Sequence, residues 1–105
     1  MKKIKLIGLA YGRSGDKGDK VNIGILARDK ASYDKLKKIL SAEKVATYFQ
    51  DICKGSVARY ELDNLWGLNF VLDKALDGGG SASLRIDAQG KTLAAALLRM
   101  EIEID

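Results

Sequence analysis

From Lys3 to Tyr11 aliphatic residues are interleaved with lysines, a pattern that predicts an opening strand with one wetter face. The pattern then lapses. Gly12 to Lys20 holds three glycines and five charged residues and predicts a loop between strands. Apolar character returns in Val21 to Ala27, a second strand. Tyr33, Leu36, Ile39 and Leu40 share a helical face over Ser32 to Leu40. Ser41 suits the N-cap of a second helix carrying Val45, Tyr48, Phe49 and Ile52 on one side, stopped by Gly55. Ser56 to Leu62 alternates and predicts a strand, in which Arg59 and Tyr60 must point to opposite faces.

Asp63 or Asn64 caps a third expected helix, with Leu65, Leu68, Leu72 and Leu76 on one stripe and Gly78 to Gly80 at its end. Ser83 to Asp87 predicts a short strand, and Ala88 to Gly90 a turn. Leu93 to Leu98 suits a helix as well as a strand. The tail, in which Met100, Ile102 and Ile104 alternate with Arg99, Glu101 and Glu103, favours one long strand in a hairpin with Ser83 to Asp87. The order β-β-α-α-β-α-β-β predicts an α+β fold, a ferredoxin-like sandwich with helices on one face of a mixed or antiparallel sheet. No linker or repeat interrupts it, so residues 1–105 are expected to form one domain.

Candidate chemistry concentrates in the glycine-rich segment. Gly15 and Gly18 allow close backbone approach and offer N–H groups to an anion-binding concavity, Arg13 and Lys17 add positive charge, and Ser14 and Asn22 join them as expected ligand-binding residues. Asp16 and Asp19, with Asn22 three residues on, could hold a divalent ion, orient the loop or act as a catalytic base. The plain alternative is a solvated turn whose aspartates bond their own backbone. The spacing fits neither a P-loop nor an EF-hand. Outside this segment, Asn69 needs a partner or reaches the loop, Trp66 suits packing or an interface, Cys53 reads as a small hydrophobe, and Gly78 to Gly80 as a helix end.

Composition narrows the chemistry. With no His and a single Cys among 105 residues, His-based catalysis, zinc fingers and intrachain disulfides are excluded. A net charge of +4, spread along the chain, does not point to nucleic acid. No apolar run approaches the ~20 residues of a membrane span, and the pattern suits a cytoplasmic protein with a free thiol. No cofactor can be named.

The segment GRSGDKGDKVNIGI, followed by SVARYEL, LNFVLDKALDGGGSASLRID and QGKTLAAALLRMEIEI, resembles the C-terminal domain of proteins like acyclic terpene utilisation protein A (AtuA). Gly12, Arg13, Ser14, Gly15, Asp16, Lys17, Gly18, Asp19, Asn22, Ile23 and Gly24 match a family pattern similar to G-R-S-G-D-K-G-D-x-x-N-I-G. The resemblance implies a ferredoxin-like fold and a setting in acyl-CoA or terpenoid-acid catabolism. Asp63 stands where relatives often carry Pro. In such proteins a larger N-terminal domain usually precedes this one, and a companion subunit equivalent to that domain is one expected partner. The expectation is a small ligand-binding or accessory module with Arg13 to Asn22 as the site of a small anion. The alternatives are a hydratase or lyase using Asp16 or Asp19, and a structural domain that forms homo-oligomers.

Overall fold

The computed structural model describes residues 2–17, 20–50, 55–73 and 91–104, with the backbone alone for 16, 17, 91 and 92. Strands β2 (Ala10–Lys17), β3 (Lys20–Ala27), β4 (Val57–Leu62) and β5 (Gly67–Leu72) form an antiparallel sheet in the order β2-β3-β5-β4. Strands β1 (Lys2–Lys5) and β6 (Glu101–Ile104) form a separate antiparallel pair. Helices α1 (Lys30–Ile39), α2 (Ala42–Tyr48) and α3 (Lys91–Leu98) pack on β3, β4 and β2 respectively. The α+β, antiparallel, helices-on-one-face expectation holds.

Period two in β3 explains the layering. Val21, Ile23, Ile25 and Ala27 are buried under the helices, with Leu68, Phe70 and Leu72 of β5 beside them. Tyr33 and Leu36 of α1, Val45 of α2 and Leu93, Ala94 and Leu97 of α3 close the core from above, with Leu40 and Phe49 from the residues that follow α1 and α2. Asp29 caps α1 by accepting from the Ser32 N–H at 2.7 Å, and Ser41 caps α2, as expected, by accepting from the Lys44 N–H at 3.0 Å. Tyr48 ties α2 to α3, its hydroxyl donating to the Ala96 carbonyl at 2.7 Å.

Four element expectations are corrected. The opening strand is broken: Leu6–Gly8 forms a 3-10 turn that buries Leu6, whose N–H donates to the Met100 carbonyl. The supposed loop from Gly12 is strand as far as Lys17, because the apolar β3 beside it offers a full ladder and an edge strand tolerates Gly and charge. The expected helix from Asp63 is a 3-10 turn, Asp63–Leu65, followed by β5. There Leu68, Phe70 and Leu72 bury at period two, which outweighs the helical spacing of the leucines. Lys91–Leu98 is helical, with the strand confined to Glu101–Ile104. The expected Ser83 to Asp87 strand, the Gly78 to Gly80 helix end and Cys53 lie outside the described residues.

Candidate functional site

The site is the sheet face opposite the helices, and strand register dictates its map. Alternate positions of each strand share a face. One row across the sheet is Tyr11, Leu26, Gly67 and Leu62; the next is Arg13, Gly24, Asn69 and Tyr60; the third is Gly15, Asn22, Val71 and Ala58. None of these rows lies under a helix. Tyr11 is 57% exposed, Tyr60 54%, Leu62 39% and Leu26 38%, so four large apolar side chains sit in water on one surface. Scattered exposed apolar residues need no explanation, but a contiguous group does.

Glycines shape this surface in different ways. Gly24 and Gly15 leave the backbone bare; a Cβ on Gly15 would meet nothing within 4 Å. With Arg13 and Asn22 they line a shallow depression. Arg13 makes no ion pair with a described side chain. Gly67 is filled instead, since the Leu26 methyl lies 2.8 Å from where its Cβ would stand. Gly12 faces the helices, where its missing Cβ lets Leu98 and Ile25 approach.

The turn between β4 and β5 closes one end of the surface. Trp66 there has φ 53° and ψ 45°, the only non-glycine with positive φ among the described residues, and the residue is 41% exposed. Left-handed backbone costs an L-residue about 1–2 kcal/mol. Leu65 beside it is also exposed. At the same end, on the β2 edge, Arg28 stacks over the Tyr11 ring at 4.2 Å and donates to the Ile7 carbonyl.

The motif residues thus separate. Arg13, Gly15 and Asn22 come together on the open face. Ser14 also lines the depression, while its side chain turns to the helix face, where the hydroxyl accepts from the Ala94 N–H at 3.1 Å in the first turn of α3. The backbones of Asp16 and Lys17 pair with Val21 and Lys20 in the ladder. Gly18 and Asp19 lie outside the described residues. Among the described residues no three His, Cys, Asp or Glu side chains cluster as a metal site, and no helix is long and apolar enough to cross a membrane.

Asn69 is level with Gly24 on this face and half-buried. Tyr60 takes the outer side of β4 while Arg59 turns inward, donating to the Lys37 and Leu40 carbonyls at the end of α1. Tyr11, Leu26 and Leu62 belong to no motif. Only the alternation of their strands marks them.

Among the described residues, the shifted titrating groups lie off this face. Tyr33 is pushed up to about 12 by burial and by donating to Asp63 at 2.6 Å. Asp63 is held below its ordinary value by the Tyr33 hydroxyl and then by Lys37. Asp29 is lowered by the Ser32 N–H and hydroxyl. All three serve caps and latches around α1.

An antiparallel sheet with all three described helices on one side and a bare second face defines a ferredoxin-like α+β protein. The chain belongs to the AtuA ferredoxin-like domain family, whose model matches residues 4–103. No curated protein and no solved structure matches it significantly.

Proposed function

We propose that this chain is an accessory module that works by association, with the open sheet face as its contact surface. The observation that carries this reading is the group Tyr11, Leu26, Tyr60 and Leu62, exposed together around Arg13 on the side without helices. Tyr, Trp and Arg are the side chains that dominate protein contacts, because they bury large areas and keep a polar handle. The family resemblance supports a setting in acyl-CoA or terpenoid-acid catabolism.

A photo-crosslinking phenylalanine analogue in place of Tyr60, in the cell that makes the protein, tests the reading. Discrete protein adducts are expected from that position and not from exposed Lys35 on α1. No adducts, or equal adducts from both positions, would sink the contact surface.

One observation favours a second reading. Arg13 and Asn22 flank bare backbone at Gly15 and Gly24, an arrangement suited to a small anion such as a phosphate or carboxylate. Coenzyme A or pyrophosphate would then raise the melting temperature of the wild type and not of Arg13→Ala. Equal responses would remove this reading. The Asp16 side chain and Asp19, on which a hydratase or lyase role would rest, lie outside the described residues.

A further inference from the structure

We propose that the partner of the open face is a second copy of this chain, packed face to face about a two-fold axis parallel to the strands and passing between β3 and β5. The inference rests on the contact-surface reading above and adds the identity and geometry of the occupant.

The argument is in the rows. Such an axis lays each row over itself in reverse, so β2 of one copy covers β4 of the other. Arg13 then stands over the second copy's Tyr60, and Tyr60 over its Arg13, giving two symmetric cation–π contacts. Gly24 meets Asn69, small against larger, twice. Tyr11 meets Leu62, and the two Leu26 side chains pack beside the axis above the two Gly67 residues. In the third row Gly15 meets Ala58. A C2 contact needs this self-complementarity, in which residue i touches j and j touches i.

The competing axis, perpendicular to the strands, fails on charge. It sets the second row on itself unreversed, Arg13 against Arg13 with no described carboxylate in these rows to separate them. Both axes keep the strands of the two sheets aligned, as packed sheets require, so the Arg13 contact decides between them.

The area sets the expected strength. Four strands at about 4.8 Å spacing and about 20–26 Å long outline about 400–500 Å² per copy, or about 800–1,000 Å² in the pair, below the ~1,200 Å² of stable specific interfaces and in the range of weak, transient ones. Leu65 and Trp66 extend it at the rim. The dimer should therefore be weak and reversible.

Sedimentation equilibrium on the purified chain tests this. The wild type is expected to show a monomer–dimer equilibrium, with the emission of Trp66, the single tryptophan, moving to shorter wavelength as the dimer forms. Tyr60→Lys replaces each cation–π contact with a like-charge contact and should weaken the dimer by about tenfold or more. Arg13→Glu alone also weakens it. The double variant Arg13→Glu/Tyr60→Lys restores a favourable pair at both places and should bring association back. Both positions are exposed, so folding is retained, and recovery in the double variant excludes misfolding as the cause of loss.

A chain that stays monomeric up to about 1 mM overturns the proposal, as does a dimer indifferent to Tyr60→Lys or one the double variant fails to restore. Crosslinking from Tyr60 separates the two levels. Adducts with another protein, and none with a second copy, overturn the dimer and leave the contact-surface reading standing; no adducts at all sink both.

Discussion

Tyr33 and Asp63 hold α1 against the turn that follows β4, and their titration makes this contact measurable. A buried phenol raised from 10.0 to about 12 stays neutral in the fold after the unfolded chain has lost its proton. Stability carried by Tyr33 is therefore complete below pH 10 and lost as pH rises towards 12. Asp63 has the opposite sign: lowered below 3.8 in the fold, it contributes above that value and loses its contribution as pH falls. Ultraviolet titration should show a phenol ionising near 12 in the wild type and not in Tyr33→Phe. Two glycines of one motif offer a second comparison. Gly12→Ala sets a methyl 3.2–3.3 Å from Leu98 and Ile25 and should cost about 1–3 kcal/mol in urea unfolding, whereas Gly15→Ala meets nothing and should cost less than about 0.5 kcal/mol. Residue type pointed to this segment but not to which glycine serves packing and which leaves a bare surface. That difference is set by strand register, which a run of Gly and charge does not encode.

At the scale of elements, the capping residues were legible and the long-range pairings were not. Ser41 lies where its side chain can satisfy an N–H three residues on, a local relation that a sequence displays. β5 was hidden because Leu65, Leu68 and Leu72 also fit a helical stripe, and only the β3 and β4 ladders on either side decide for a strand. The last segment combines both periods, helical through Leu97 and then alternating at Ile102 and Ile104, so a single element could not describe it. Ser14 joins two of these elements across the sheet edge. Its removal in Ser14→Ala leaves the Ala94 N–H at the start of α3 without that acceptor and should cost about 1 kcal/mol, seen as a lower urea midpoint with an unchanged slope. If Ser14 served a ligand instead, the loss would appear in binding and not in the ligand-free melt.

For the molecule as a whole, the β1–β6 pair joins the first and last described segments, and its register separates two kinds of stabilisation. Lys3 stands opposite Glu103 and Lys5 opposite Glu101, exposed opposite charges worth about 0.2–1 kcal/mol each. Ile4 stands opposite Ile102, and Ile102 and Ile104 are buried in the core cluster with Leu6. A two-stranded ribbon is marginal alone, so this pair persists because its inner face adds to the apolar core and not because of its charged edge. Ile102→Ala should then cost about 2–5 kcal/mol, a large share of the 5–15 kcal/mol that holds a domain folded. Glu101→Gln with Glu103→Gln should cost less than about 2 kcal/mol together, with the difference from wild type shrinking at 1 M salt. Amide exchange gives the decisive reading. In Ile102→Ala the β1 amides should exchange much faster while those of β3 and β5 keep most of their protection; a uniform loss across all strands would show instead that the pair and the four-stranded sheet unfold as one unit.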